Sequence, residues 1–225
     1  LVGEAGISKT SICEQVASEF NMPFKKLNAA QIYEPTELTG YPIKEVRCTH
    51  DNEKEEWINE AMISQYANRG YLITNETRMG FAVPDWVKSL GNEPAVILID
   101  DYSRATPPVI QAFNEIMDRQ EYNTWKLPKG TTIITTENPD NGDYIVSSTD
   151  NSHQTRRIMY PMRASVEDWA LWAQGQDMDE RCVSFLLKNR EIIEGSGLKT
   201  ENGDNSVKSK GNLRLWTNFF DTIAG

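Results

Sequence analysis

The chain has 225 residues, with 23 Lys+Arg against 33 Asp+Glu and a formal net charge of −10. That length suits one large domain, or one domain with a small appendage, and 39% hydrophobic residues are enough to bury a core. The acidic balance argues against general nucleic-acid binding, no apolar run approaches the roughly 18 residues of a membrane span, and no signal-peptide pattern opens the chain.

In chain order, Leu1-Val2 ends an apolar run, a Gly-containing loop follows, and Ile12, Val16 and Ala17 recur at helical spacing from Thr10 to about Phe20. Phe24 to Leu27 reads as a strand and Glu34 to Thr39 as a brief helix, broken by Gly40-Tyr41-Pro42. Asp51 to Arg69, with Trp57, Ile58, Ala61, Met62 and Tyr66, reads as an acidic, mostly helical stretch, and Tyr71 to Asn75 as a short strand. Ala95 to Ile99 is a continuous apolar run closed by Asp100-Asp101, the pattern of a parallel strand buried on both faces. Pro107 to Arg119 predicts an amphipathic helix with proline at its permissive start. Thr131 to Thr136 and Ile158 to Met162 predict two further strands. Beyond Val166 only helical patterns remain, at Trp169–Trp172, Cys182–Leu187 and Leu213–Ile223, with a polar loop over 195–211. Strands alternating with helices and then helices alone predict an α/β core over residues 1–163 and a small helical subdomain over 164–225. Cys13, Cys48 and Cys182 are widely spaced and odd in number. They predict free thiols in a reducing, cytoplasmic setting, not a disulfide framework or a metal site.

Gly3-x-x-Gly6-x-x-Lys9-Thr10 is a candidate phosphate loop between strand and helix, so Gly3, Glu4, Ala5, Gly6, Ile7, Ser8, Lys9, Thr10 and Ser11 are candidate nucleotide-binding residues. Glycines let successive N–H groups turn toward one anion, and the helix start adds its positive dipole end. Lys9 is placed to reach the β- and γ-phosphates and the Thr10 hydroxyl to bind Mg²⁺. Ser8 stands where the usual pattern has glycine; serine is expected to take a helix-entry conformation there. Asp100 falls at the carboxyl edge of a parallel strand, where open α/β sheets bind ligands. It is the candidate metal acid, expected to hold Mg²⁺ through water opposite Thr10, with Asp101 to polarise the attacking water. Two acids capping the next segment would read the same way. Asn138, just past Thr136, can hold that water or the γ-phosphate, and Asn138-Pro139 is equally a turn former.

These elements in this order resemble an AAA+ ATPase, and more closely its MoxR-like branch. LVGEAGISKT resembles the first nucleotide motif, ELTGYP the stretch after the second strand, AVILIDDYSRATPPVIQAFNEIMD the second motif and its helix, and LPKGTTIITTENPD the sensor-1 strand. STDNSHQTRRIMY resembles the arginine-finger segment, VEDWALWA the start of the lid, and NLRLWTNFFD the sensor-2 helix. The resemblance implies a P-loop AAA+ three-layer α/β core with a central parallel sheet and a C-terminal helical lid. It implies ATP and Mg²⁺ as cofactors, and catalytic roles for Asp101, Asn138 as sensor 1, Arg156 or Arg157 as the finger, and Arg214 as sensor 2. It also implies a homo-oligomeric ring, since a finger acts across a subunit boundary, and a protein substrate or adaptor to remodel.

Three positions depart from the pattern: Asp101 where the family has Glu, Ser8 for Gly and Leu213 for Pro. A shorter Asp101 withdraws its carboxylate by about 1.5 Å, and errors near 1 Å can cost about 100-fold in rate. The departures weigh against fast hydrolysis, not against nucleotide binding. The leading expectation is an ATPase of the remodelling class. A nucleotide-dependent structural or regulatory subunit with weak hydrolysis is the second, and a DNA-acting AAA+ protein the third, disfavoured by the charge. Tyr41 reads as a turn aromatic, or as a channel-loop residue. Because only Leu1-Val2 precede the phosphate loop, and little chain follows the sensor-2 helix, the sequence reads as part of a longer protein.

Overall fold

The computed structural model describes residues 1–50, 55–139, 157–163, 165–190, 193 and 212–224. The expected loop over 195–211 lies outside them, as does Arg156.

The chain leaves the phosphate loop into α1 (Lys9–Glu19) and returns as β1 (Phe24–Asn28). After the short helix α2 (Pro35–Thr39) come β2 (Pro42–Thr49), β3 (Glu56–Asn59), α3 (Ile63–Ala67), β4 (Leu72–Phe81) and α4 (Asp85–Lys88). Then β5 (Val96–Asp100), α5 (Pro107–Arg119), a two-strand ribbon of β6 (Glu121–Tyr122) and β7 (Trp125–Lys126), and β8 (Thr132–Thr135) complete the α/β part.

β1, β5 and β8 pair in parallel in the order β1-β5-β8. Val2 extends the arrangement beyond β8 through parallel bridges to Glu137 and Pro161. The chain leading into the phosphate loop thus lies between the end of β8 and the 160–162 segment, with Val2 N–H donating to Tyr160 O at 3.0 Å and Met162 N–H to Val2 O at 2.7 Å. Only this one bridge represents the strand expected over Ile158–Met162.

β5 is buried from Val96 to Ile99 because both faces of the sheet are covered. Val109, Ile110, Ala112, Phe113 and Ile116 of α5 recur at helical spacing and pack with Ile97 and Ile99 in one hydrophobic cluster. Trp86 and Trp125 meet edge to face in the same cluster and donate their indole N–H groups to Leu38 O and Thr39 O, so neither buries an unsatisfied donor.

The region 42–81 departs from the sequence expectation. It is a separate antiparallel sheet, in the order β3-β2-β4. The stretch expected to be mostly helical carries β3, and among its described residues only Ile63–Ala67 is α-helix. Its apolar residues fit a helical spacing, but Val46 pairing with Ile58 supplies a long-range partner that local periodicity does not contain. β4 runs ten residues where a short strand was expected, and its middle is polar and exposed. Tyr41 enters this sheet 66% exposed.

Among the described residues, three helices and Ile193 form a second cluster: α6 (Val166–Gly175), α7 (Glu180–Lys188) and α8 (Leu213–Ala224). Val166, Trp169, Leu186, Leu213 and Phe220 are among its buried members, and it shares none with the first cluster. Ser165 and Asp179 cap α6 and α7 by accepting from Asp168 N–H and Arg181 N–H. No helix among the described residues is long and apolar enough to cross a membrane, and the three cysteines are free and buried.

Candidate nucleotide site

The phosphate loop is held open by small residues at two points. A Cβ at Gly3 would stand 2.5 Å from Ile7 Cδ1 and 2.7 Å from Met162 O. Gly6 has φ +78°, and a Cβ there would lie 2.5 Å from Asn212 Oδ1. Ser8 also takes a left-handed conformation, φ 63° and ψ 27°, instead of the expected helix-entry geometry, and its side chain makes no cap to α1. A non-glycine residue in that region is strained.

Lys9 begins α1 and is buried. Its Nζ donates to Gly3 O at 2.5 Å, Glu4 O at 2.9 Å and Asn138 Oδ1 at 3.0 Å. Burial pushes the Lys9 pKa down, opposed by the Asp101 and Asp100 charges, while Arg214 adds to the lowering. The ammonium therefore sits where a negative ligand would restore its balance.

Asp100 ends β5 facing Thr10. Thr10 Oγ1 lies 3.3 Å from Asp100 Oδ2, and Thr136 Oγ1 donates to Asp100 Oδ1 at 2.5 Å. Lys26 of β1 makes an ion pair with Oδ2 at 2.7 Å. Burial pushes the Asp100 carboxyl up, but the Lys26, Thr136 and Thr10 hydrogen bonds outweigh it and hold the net pKa below the usual value.

Asp101 follows in a left-handed conformation, φ 54° and ψ 39°. Its N–H donates to Thr136 Oγ1 at 3.2 Å. Its carboxylate lies 3.6 Å from Arg104 Nη1 and caps no helix, so the capping alternative finds no hydrogen bond here. Thr136 thus touches both acids. It was not singled out in the sequence, although a polar residue at a strand's carboxyl end was its available signal.

The two finger candidates differ. Arg157 is turned inward, paired with Glu137, with its guanidinium carbon 4.5 Å from the Tyr102 ring centroid. Glu137 in turn ties the sheet edge to the loop, its carbonyl accepting from Gly3 N–H at 3.1 Å and its N–H donating to Leu1 O at 2.9 Å. Arg214 is exposed on the first turn of α8, close enough to act on Lys9. Asn212, also missed in the sequence, accepts from Leu215 N–H at 3.0 Å and lies directly on Gly6. The structure therefore brings together Lys9, Thr10, Asp100, Asp101 and Asn138, with Arg214 nearby, and buries Arg157 against Glu137 and Tyr102.

The donor set also bears on Mg²⁺. Thr10 and Asp100 offer hard oxygens side by side, and the Lys26 ammonium stands as a built-in cation at the acid. Among the described residues no group of three His, Cys, Asp or Glu could hold an ion alone. One hydroxyl and one carboxylate fit Mg²⁺, which typically completes its shell with phosphate oxygens and water.

A parallel sheet with a glycine loop, lysine and threonine at one strand's end, and an acid at the end of another, defines a P-loop nucleotide-binding core. The chain belongs to the ATPase family associated with various cellular activities (AAA), whose model matches residues 1–155. Membership implies nucleotide binding, typically with Mg²⁺, and suggests ATPase activity. Among solved structures, a RuvB mutant of Thermotoga maritima is similar over 81% of this chain and 46% of that one, at 12% identity and a TM-score of 0.45. The chain thus spans about half the length of that protein. No curated protein matches it.

Proposed function

We propose that this chain is an ATP-hydrolysing AAA+ subunit of the MoxR-like branch, which assembles into a homo-oligomeric ring in the cytoplasm and remodels a protein partner. The observation that carries the reading is the convergence of Lys9, Thr10, Asp100 and Asn138 at one sheet edge. Lys9, with its lowered pKa and its three local acceptors, exchanges those contacts for phosphate oxygens. Thr10 and Asp100 would hold Mg²⁺, which supplies charge neutralisation on the phosphates. Asn138 orients the attacking water or the γ-phosphate, and Asp101 accepts a proton from that water once it turns from Arg104. The helices α6 to α8 act as the lid, and Arg214 reaches the γ-phosphate from the lid. Because Arg157 is committed to Glu137, the finger is assigned to Arg156.

A second reading, a nucleotide-dependent regulatory subunit with weak hydrolysis, is favoured by the Asp101–Arg104 pair and the left-handed Ser8. Purified protein with saturating ATP and Mg²⁺ separates the two. Turnover that falls at least about 100-fold on Lys9→Ala and on Asp101→Asn supports the enzyme. Tight binding with no turnover supports the regulator. Electron microscopy with and without ATP tests the ring.

A further inference from the structure

Asp100 is the acid nearest Thr10, yet its ionic partner comes from the neighbouring strand. Lys26 Nζ stands 2.7 Å from Asp100 Oδ2, the same oxygen that faces Thr10 at 3.3 Å. The other oxygen is engaged by Thr136 at 2.5 Å. In the parallel register Lys26 pairs with Leu98, and it is Asn28 that pairs with Asp100. The lysine must therefore run two residues along the strand, about 6.6 Å, to reach the acid. A flexible four-carbon stem can do this and can also release, because the Lys26 side chain is 41% exposed while Asp100 is 18% exposed.

We propose that Lys26 is a tethered cation that competes with Mg²⁺ for Asp100, so that it sets the Mg²⁺ requirement of the nucleotide site. The inference rests on the reading of Thr10 and Asp100 as the metal's protein ligands. An ammonium seated on a carboxylate oxygen opposes a divalent ion drawn to the same oxygen, because like charges repel in a partly desolvated site. Free Mg²⁺ would gain Asp100 against the lysine pair. Mg²⁺ arriving with ATP is held by phosphate oxygens as well, so it can bear the competition at Asp100. The lysine thus favours the metal–nucleotide complex over the bare ion.

The test is binding of a fluorescent ATP analogue to the full chain by anisotropy, in EDTA and across a Mg²⁺ series, with thermal melts as the folding control. Lys26→Met is expected to lower the half-maximal Mg²⁺ concentration about tenfold, the size of one charge-assisted hydrogen bond. It should leave affinity in EDTA unchanged. Lys26→Arg, which keeps the charge, should stay near wild type, and Lys26→Gln replaces Lys26→Met if the latter melts early. Mg²⁺ without nucleotide should raise the melting temperature of the neutral variant and not of wild type. An unchanged Mg²⁺ midpoint in the neutral variant overturns the inference and leaves a plain surface ion pair. A tenfold loss of affinity in EDTA also overturns it, making Lys26 a phosphate ligand. If wild type itself binds equally well with Mg²⁺ and with EDTA, the reading of Thr10 and Asp100 fails first, and the inference falls with it.

Discussion

The sheet edge and the helical cluster face the same phosphate loop but are held to it by different means. Lys9, Asp100 and Asn138 arrive from segments that hydrogen-bond to one another along their backbones, through β5–β8 pairing and the Val2 bridges. Asn212 and Arg214 arrive from the start of α8, whose buried residues Leu213 and Phe220 belong to a separate hydrophobic cluster. Among the described residues it touches the loop through the Asn212 side chain resting on Gly6. A backbone-paired edge forms with the fold itself, whereas a side-chain contact can be made or broken at small cost. On the proposed function, nucleotide-linked movement falls to the helical side, with the sheet side as its fixed reference.

The strongest way to break this comparison is to attack what locks the sheet edge. Arg157 and Glu137 are 10% and 9% exposed and pair directly. Arg157→Met leaves a buried carboxylate without its cation, which typically costs about 3–5 kcal/mol. For a chain of this size each kcal/mol moves the melting temperature by about 2–4 °C, so scanning calorimetry should show a fall on the order of 10 °C. A paired Arg157→Met, Glu137→Leu variant should recover much of it, since an apolar replacement of both partners is often neutral. A single variant that melts like wild type would show that backbone pairing alone fixes the edge.

The helical side should respond in the opposite manner. Arg214→Ala removes an exposed cation, so its melting temperature without ligand should stay within about 2 °C of wild type. ATP affinity should weaken about tenfold, because a charge-assisted contact to phosphate is lost. Isothermal calorimetry of ATP binding and a parallel melt separate these effects. A large loss of stability with no loss of affinity would place Arg214 in the framework and not in the site.

What the sequence revealed follows the same division. α5 was legible because Pro107 marks its start and its apolar residues keep one helical face. β5 was legible because five residues of continuous burial need no partner to be recognised. The antiparallel sheet was not. In β4 only the start was read as a strand; Glu76, Thr77 and Arg78 give no apolar signal, and Thr77 and Arg78 are placed by register with Val46 and Glu45 of β2. In the site, Lys9, Asp100 and Asn138 were legible because each follows a recognisable loop or strand end. Lys26 and Asn212 were not, since nothing local marks a lysine two residues out of register or an asparagine that caps one helix while touching another segment's glycine. The inward turn of Arg157 was likewise invisible, because Arg156-Arg157 reads as a basic pair until Glu137 is placed opposite it.

The smallest expected effect tests how firmly the fixed side holds its own loop. Ser8 keeps φ 63°, a conformation that costs a non-glycine residue about 1–2 kcal/mol. Its side chain is exposed and makes no cap hydrogen bond to α1, so removing the hydroxyl forfeits nothing visible. Ser8→Gly relieves the strain but adds about 0.4–1 kcal/mol of unfolded-chain entropy. The net gain should be about 0–1.6 kcal/mol, a rise of at most about 6 °C in melting temperature. The sign matters more than the size. A gain means that the Lys9 contacts to Gly3, Glu4 and Asn138 impose the loop's shape on an ill-suited residue, as a rigid sheet edge should. A loss means that the loop is shaped by Ser8 itself, and that the sheet side is less independent of its loop than the backbone pairing implies.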